Sequence, residues 1–341
     1  MLIWSEMKSR NAIIASAVAI LTLAAGCASG SSGSTGSVGA APRLPLEKTS
    51  IVVAAFPAID SAGLYIAQMD GLFAAQGLKV KIVSAPNTAT STQDLINGQI
   101  SEKYDITAGD YVTYIENETL LGTAYLRIIA EASFLQPNVE ALLVKESSSV
   151  RSISQLRNRT ISVNAPGDIG TLLVDSLLIE HGIQPNQVTL NSYVPFSAVP
   201  KMLRSNAVSA SFTAEPFTSL DEENAGLQEL ADLDQGSNLD FPIEGYAVTQ
   251  EWSQKYPNTL KAFVRGLSEG QEIADTNRSV VEKAIERYLG ISTVTAASLS
   301  LPAFPAGVDP VRLQRVVSAM VRFGLLPPGL AFYPITAMLG S

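Results

Sequence analysis

From Thr49 onward, short apolar runs alternate with stretches whose apolar residues recur at helical spacing. Residues 51–56 form a continuous apolar run, as in a parallel strand covered on both faces. Over 61–76, Ile66, Met69, Leu72 and Phe73 share one face and Gly77 offers a stop, which predicts a single helix. Strands are expected at 78–83, 104–108 and 127–130, with a helix at 90–97 that Gly98 ends. The rhythm restarts after a run at 139–145, with strands at 160–164, 188–193 and 208–213 and helices at 170–180 and 198–205. One more strand is expected at 246–249. The pattern then turns helical over 259–276, 279–289, 293–300 and 310–323. Two α/β units with a helical C-terminal wrap explain this order. The apolar tail 323–340 contains Pro327, Pro328 and Pro334, so it is expected to pack on the first unit rather than span a membrane.

Ahead of this body, Lys8 and Arg10 precede an apolar run over 12–25 that ends in Ala24-Ala25-Gly26-Cys27. A basic start, an apolar core of about 14 residues and a small-residue boundary describe a secretory signal over 1–26; a membrane span needs ~20 residues. Met7 offers a second start beside Met1. Ala-Ala-Gly-Cys resembles the lipobox of bacterial lipoproteins, with the usual leucine one place early at Leu23. Two readings follow: lipid attachment at Cys27, or an ordinary cleaved signal with an incidental cysteine. The Gly/Ser-rich stretch that follows favours lipidation, since it makes 27–46 a lipidated residue with a flexible tether.

Composition narrows the chemistry. The 341 residues carry 32 acidic against 23 basic side chains, a formal charge of −9, which weighs against a nucleic-acid partner. One cysteine excludes an internal disulfide and any multi-cysteine metal centre, and one histidine excludes chemistry that needs a pair. His181 follows a predicted helix and precedes Gly182, a C-terminal capping place that suits a structural role. No metal site or cofactor is expected.

Several segments together resemble one family. They are Tyr65-Ile66-Ala67, Gly71-Leu72-Phe73 and Gly77-Leu78; Asp94-Leu95-Ile96-Asn97-Gly98-Gln99 before Tyr104-Asp105-Ile106; and Ser152-Ile153-Ser154-Gln155-Leu156 before Thr160-Ile161-Ser162-Val163. Ala214-Glu215-Pro216-Phe217 and Tyr256-Pro257-Asn258-Thr259 complete the series. In this order they resemble the nitrate/sulfonate/taurine and thiamine-pyrimidine group of ABC-transporter solute-binding proteins. The resemblance implies an α/β, two-lobed type II periplasmic-binding-protein fold: lobe I from 47–138 and 246–341, lobe II from 139–245, crossovers near 138–146 and 241–250. It implies hinge closure on a small-molecule ligand, and a permease and ATPase as partners. Lipidated Cys27 would hold the protein, expected to be a monomer, on the outer face of the bacterial cytoplasmic membrane. Pyrimidine-forming enzymes on a related fold need a cysteine-rich iron motif and a pocket histidine. Cys27 and His181 do not supply these, so a binding protein is expected and not an enzyme.

Ligands of open α/β sheets bind at the carboxyl ends of the strands. That rule selects Phe56, Asp60, Ser61, Asn87, Thr88, Asp110 and Tyr111 in lobe I, and Asn164, Asp168, Thr171, Phe196, Glu215 and Phe217 in lobe II. These loops hold carboxylates and aromatics but no lysine or arginine. Ser61, Thr88 and Thr171 could serve a sulfonate or nitrate through hydroxyls and helix N-termini. The carboxylates beside phenyl rings favour a planar, hydrogen-donating heterocycle such as a pyrimidine. Asp60, Asp110 and Asp168 also stand where helix N-caps stand. Glu215 is a poor cap, with Pro216 fixing the turn behind it.

Overall fold

The computed structural model describes residues 44–97, 103–121 and 125–340. The expected signal 1–26, Cys27, most of the tether and Gly98 lie outside the described residues.

β1 (Ser50–Ala55) takes the first apolar run and pairs in parallel with β2 (Lys79–Ser84), from Ser50↔Lys79 to Ala55↔Ser84. The single helix predicted between them is broken. α1 (Ala62–Met69) stops, Gly71 turns left-handed at φ 73°, and α2 (Leu72–Ala75) restarts. Glycine adopts that conformation without a Cβ clash. The bend lets Phe73 stack on Phe263, with ring centroids 5.1 Å apart. α3 (Thr88–Ile96), β3 (Ile106–Asp110), α4 (Tyr111–Leu121) and β4 (Leu126–Phe134) follow.

The chain then builds a second sheet from β5 (Glu140–Lys145), β6 (Thr160–Ser162), β7 (Thr189–Asn191), β8 (Ala210–Ala214) and β9 (Leu227–Asp232). Its helices are α5 (Ile169–Glu180), α6 (Val199–Arg204) and α7 (Phe217–Ala225). β10 (Pro242–Thr249) returns to the first sheet. α8 (Gln250–Lys255), α9 (Pro257–Thr276), α10 (Arg278–Leu289), α11 (Thr293–Ser298) and α12 (Pro310–Arg322) then make the expected helical wrap.

The strand orders are β2-β1-β3-β10-β4 and β7-β6-β8-β5-β9. Each sheet is a parallel trio joined by an antiparallel strand that arrives from the other sheet: β10 against β3 and β4, β5 against β8 and β9. The crossings are the linkers 135–139 and 233–241. Both precede the stretches expected from the sequence, because β5 and β10 are already paired within their own sheets. The linkers are sewn to each other. The Leu135 amide donates to the Phe241 carbonyl at 2.8 Å, and Asp234 Oδ2 accepts from the amides of Val139 and Glu140 at 2.7 and 2.8 Å.

The hydrophobic pattern carries no clear sign of β9, α4 or α7. β9 is a half-exposed edge strand with mixed polarity, and both helices begin directly at strand ends. β7 is shorter than 188–193, since Tyr193 turns to φ 66° and leaves the ladder. α9 crosses α1 closely: a Cβ on Gly270 would stand 2.8 Å from Ala67 Cβ and closer still to the Gly63 carbonyl. The tail packs on β4 as expected, with the Gly340 amide donating to Ile128 O at 2.9 Å and Arg127 to Ala337 O at 3.0 Å. Among the described residues, no helix is long and apolar enough to cross a membrane.

At the start of the described chain, Glu47 accepts hydrogen bonds from the amides of Asn258 and Thr259, in the first turn of α9. Lys48 pairs with Asp105 at 2.6 Å, and Asp105 also accepts from the Val52 amide and from Trp252 Nε1, both at 2.9 Å.

Candidate functional site

The carboxyl ends of the parallel strands in both sheets turn toward each other, and the loops they carry meet. Phe56, after β1, stands edge to face against Phe196, after β7, with ring centroids 6.2 Å apart. Phe196 also packs on Phe212 of β8 at 5.8 Å and on Phe217 of α7 at 5.2 Å. These rings bridge the halves while remaining partly accessible at Phe56, Phe196 and Phe217.

Asp110 and Asp168, on opposite halves, lie near enough for the charge of one to act on the other, and both are helix caps. Asp110 accepts from the Thr113 amide at 2.8 Å and the Thr113 hydroxyl at 2.9 Å. Asp168 accepts from the Thr171 amide at 3.1 Å, capping α5. Capping alone does not describe them. Both are buried, burial raises both pKa values, and the Asp110 charge raises that of Asp168 further.

Asp60 is not a cap. It lies in a short 3-10 turn, Ile59–Ser61, and its Oδ1 accepts from the Ser133 hydroxyl of β4 at 2.6 Å. Burial raises its pKa and the Ser133 hydrogen bond opposes that rise. Ser61 is fully buried near Glu244, and its hydroxyl has no hydrogen-bond partner. Asn87 caps α3 by accepting from the Thr90 amide at 2.8 Å. Thr88 Oγ1 accepts from the Asp110 amide at 3.4 Å, and the Thr171 hydroxyl donates to Ala165 O at 3.0 Å. Two of the three hydroxyls suited to an anion therefore have partners within the protein.

Tyr111 is a core side chain with no exposure, tucked under Gly245 of β10, and its hydroxyl has no hydrogen-bond partner. Asn164 Oδ1 is also without a partner, close to Gly170. Glu215 is engaged inside the protein: its carboxylate accepts from the Ser219 hydroxyl at 2.7 Å, the Ser219 amide at 3.2 Å and the Ser300 amide at 3.3 Å. That ties α7 to the segment after α11. His181 caps the end of α5, with Nδ1 2.9 Å from Leu177 O, in keeping with a structural role.

The sequence rule missed two acids. β5 and β10 run antiparallel to their neighbours, so their amino ends lie at the same edge as the carboxyl ends of the parallel strands. Glu140 opens β5 opposite Ala214, and Glu244, near the start of β10, stands opposite Asp110. Each has a buried carboxylate oxygen without a partner. Burial raises both pKa values well above the ordinary range, with Asp234 and Asp60 adding to the rise at Glu140, and Asp60 and Asp110 at Glu244. The signal available was a lone glutamate in the apolar run Phe241-Pro242-Ile243-Glu244-Gly245-Tyr246.

Among the described residues, none of Asp60, Asp110, Glu140, Asp168, Asp234 and Glu244 forms an ion pair. Arg312, which acts on Tyr111, is paired with Glu131 at 2.9 Å and lies over the Phe134 ring at 4.6 Å. The edge where the halves meet is thus rich in acceptors and rings, and poor in cations.

A family model described as NMT1/THI5 like matches residues 58–277, most of both sheets. The chain belongs to the NMT1/THI5-like family. Among curated proteins, this NMT1/THI5-like chain is 24% identical over 284 residues to the nitrate import ATP-binding protein NrtC of Synechocystis sp. (strain ATCC 27184 / PCC 6803 / Kazusa). That match covers 77% of this chain and 41% of NrtC, so the chain spans about two fifths of that relative. Among solved structures, it is similar to the periplasmic nitrate-binding protein NrtA from Synechocystis PCC 6803, with TM-score 0.70, 15% identity and 86% of each chain covered. It is also similar to the periplasmic aliphatic sulphonate binding protein SsuA from Escherichia coli, with TM-score 0.67, 16% identity, and 86% of this chain and 92% of that one covered. The Candida albicans CA3427 product, described as having the generic periplasmic binding protein fold, gives TM-score 0.71 at 15% identity, covering 87% and 96%. The NMT1/THI5-like chain therefore has the periplasmic binding protein fold that the sequence suggested.

Proposed function

We propose that this protein is the solute-binding component of an ABC importer, held outside the cytoplasmic membrane by lipid on Cys27, and that it takes a planar, hydrogen-donating heterocycle between its halves. The observation that carries the reading is the contact of Phe56 with Phe196 across the halves beside Asp110 and Asp168, with no basic side chain among the described residues paired to either acid. Rings suit stacking, and carboxylates accept from ring amino groups. The names of the relatives refer to nitrate and sulphonate binding in those proteins, which keeps an anion as the second reading. Against it stand the carboxylates and the internal hydrogen bonds of Thr88 and Thr171.

An enzymatic reading on the same fold finds little support. Cys27 is assigned to lipid, and the ring of His181 engages a helix carbonyl. Differential scanning fluorimetry against aminopyrimidines, sulfonates, nitrate and amino acids tests the proposal. An aminopyrimidine at a hundredfold excess over its Kd should stabilise the protein by about 2.7 kcal/mol. A shift with nitrate or a sulfonate alone would assign the anion reading. No shift with any of them, for a folded protein, sinks both.

A further inference from the structure

One corner of the site gathers acids and hydroxyls, and Glu244 Oε1, Ser61 Oγ and the Tyr246 hydroxyl there are all buried without partners. Asp60 and Glu244 lie close enough together for Asp60 to raise the pKa of Glu244, and Ser133 and Ser61 are the hydroxyls beside them. Glu244 Oε1 is buried and has no partner. Tyr246, two residues further along β10, has no exposure, and its hydroxyl likewise lacks a partner although Glu244, Asp60 and Tyr65 all act on it. Beside them Tyr65 and Tyr288 stack in parallel with centroids 3.8 Å apart, and the Tyr288 hydroxyl donates to Ala58 O at 2.9 Å. The acid series continues from Glu244 to Asp110 and across to Asp168.

We infer that the solute is recognised as a cation, its positive charge set against Asp60 and Glu244 and facing the Asp110–Asp168 pair where the halves meet. This rests on the reading of the cleft as a solute site and adds a charge to it. A neutral heterocycle would supply hydrogen bonds but leave the ionised form of these adjoining acids opposed by mutual repulsion in a medium of low dielectric. A flat cation supplies donors and removes that repulsion together, and the tyrosine faces suit it through the ring quadrupole. The nearby guanidinium of Arg312 is not free to do this, being held by both oxygens of Glu131 at 2.9 and 3.3 Å. Because Asp110 and Asp168 come from opposite halves, a cation between them favours closure as well as binding.

Three isosteric probes separate charge from shape: benzamidine, a flat amidinium; benzamide, its neutral counterpart; and benzoate, its anionic one. Calorimetry on the intact protein near pH 7.5 should find benzamidine bound about tenfold or more tightly than benzamide, with benzoate inert. Glu244→Gln should weaken benzamidine about tenfold and leave benzamide within about twofold. Asp60→Asn carries the same expectation if the first variant does not fold. Benzamide or benzoate binding as tightly as benzamidine overturns the inference and leaves a solute-binding cleft in place. So does unchanged benzamidine affinity in the folded variants. Silence from all three probes and from the aminopyrimidines overturns the cleft reading as well.

Discussion

Phe56 and Phe196 stand edge to face at 63° although they follow strands of different sheets. The pair bridges the two halves. Phe196 is also packed on Phe212 and Phe217 of its own half, whereas Phe56 shows no second ring contact among the described residues. Phe56→Ala should therefore enlarge the ligand-free protein in solution scattering with little loss of stability. It should also weaken solute binding about two- to tenfold, the equivalent of one edge-to-face pair. Phe196→Ala should open the protein too, and lower its stability to urea by about 1–3 kcal/mol. Equal stability losses in the two variants would refute this division.

Asp234 joins the two linkers by accepting from Val139 and Glu140. Asp234→Ala should cost about 1–3 kcal/mol by orphaning buried amides, whereas Asp234→Asn keeps a carbonyl acceptor and should cost less. Urea denaturation of both variants decides the order. The hinge should also loosen in the alanine variant, seen as faster hydrogen exchange at Val139 and Glu140.

The buried acids make stability depend on pH in an unusual direction. Asp175 and Asp234 are raised by burial to about 7 and about 8, so the folded state binds protons more tightly than the unfolded chain. Stability is then fully present below the ordinary carboxylate range near pH 4, and is lost as pH rises toward 8. Ligand-free protein should show this fall in denaturation series from pH 5 to 8. Asp175→Asn, which removes a buried carboxylate with an unpartnered oxygen, should stabilise the protein at pH 8 by about 1–3 kcal/mol and flatten the slope. Stability rising steadily across that range would contradict the assignment.

Gly270 lets α9 lie against α1. Gly270→Ala places a methyl against Ala67 and the Gly63 carbonyl. The overpacking cost of about 1–3 kcal/mol outweighs the roughly 1 kcal/mol that alanine gains in a helix. A lowered melting temperature is expected; an unchanged or raised one would show that the helices separate freely.

β1 could be read from the sequence because a continuous apolar run suits a buried strand, β10 only in its later half from Tyr246 to Thr249, and the C-terminal helices because their apolar spacing is regular. The break at Gly71 was hidden, since helical spacing runs straight through it. At the site, Asp110 and Asp168 were legible as caps, yet their approach to each other depends on how two distant halves pack. Asp60 resembled a cap because the 3-10 turn that contains it, just before α1, leaves no mark in the pattern. Glu140 and Glu244 escaped for a topological reason. A rule that follows the carboxyl ends of parallel strands does not look at the amino ends of antiparallel ones, and these reach the same edge. Glu215 was legible as unusual, but its partners Ser219 and Ser300 come from packing.

The fastening of Glu47 and Lys48 to α9 and Asp105 has a mechanical consequence. Any pull on the chain from its N-terminal side is borne by the half built on the first sheet and stops there. The other half is then the moving jaw, its backbone joined to the first through the paired linkers at 135–139 and 233–241. A partner that grips the first half would feel the arrival of a solute as a swing of the second.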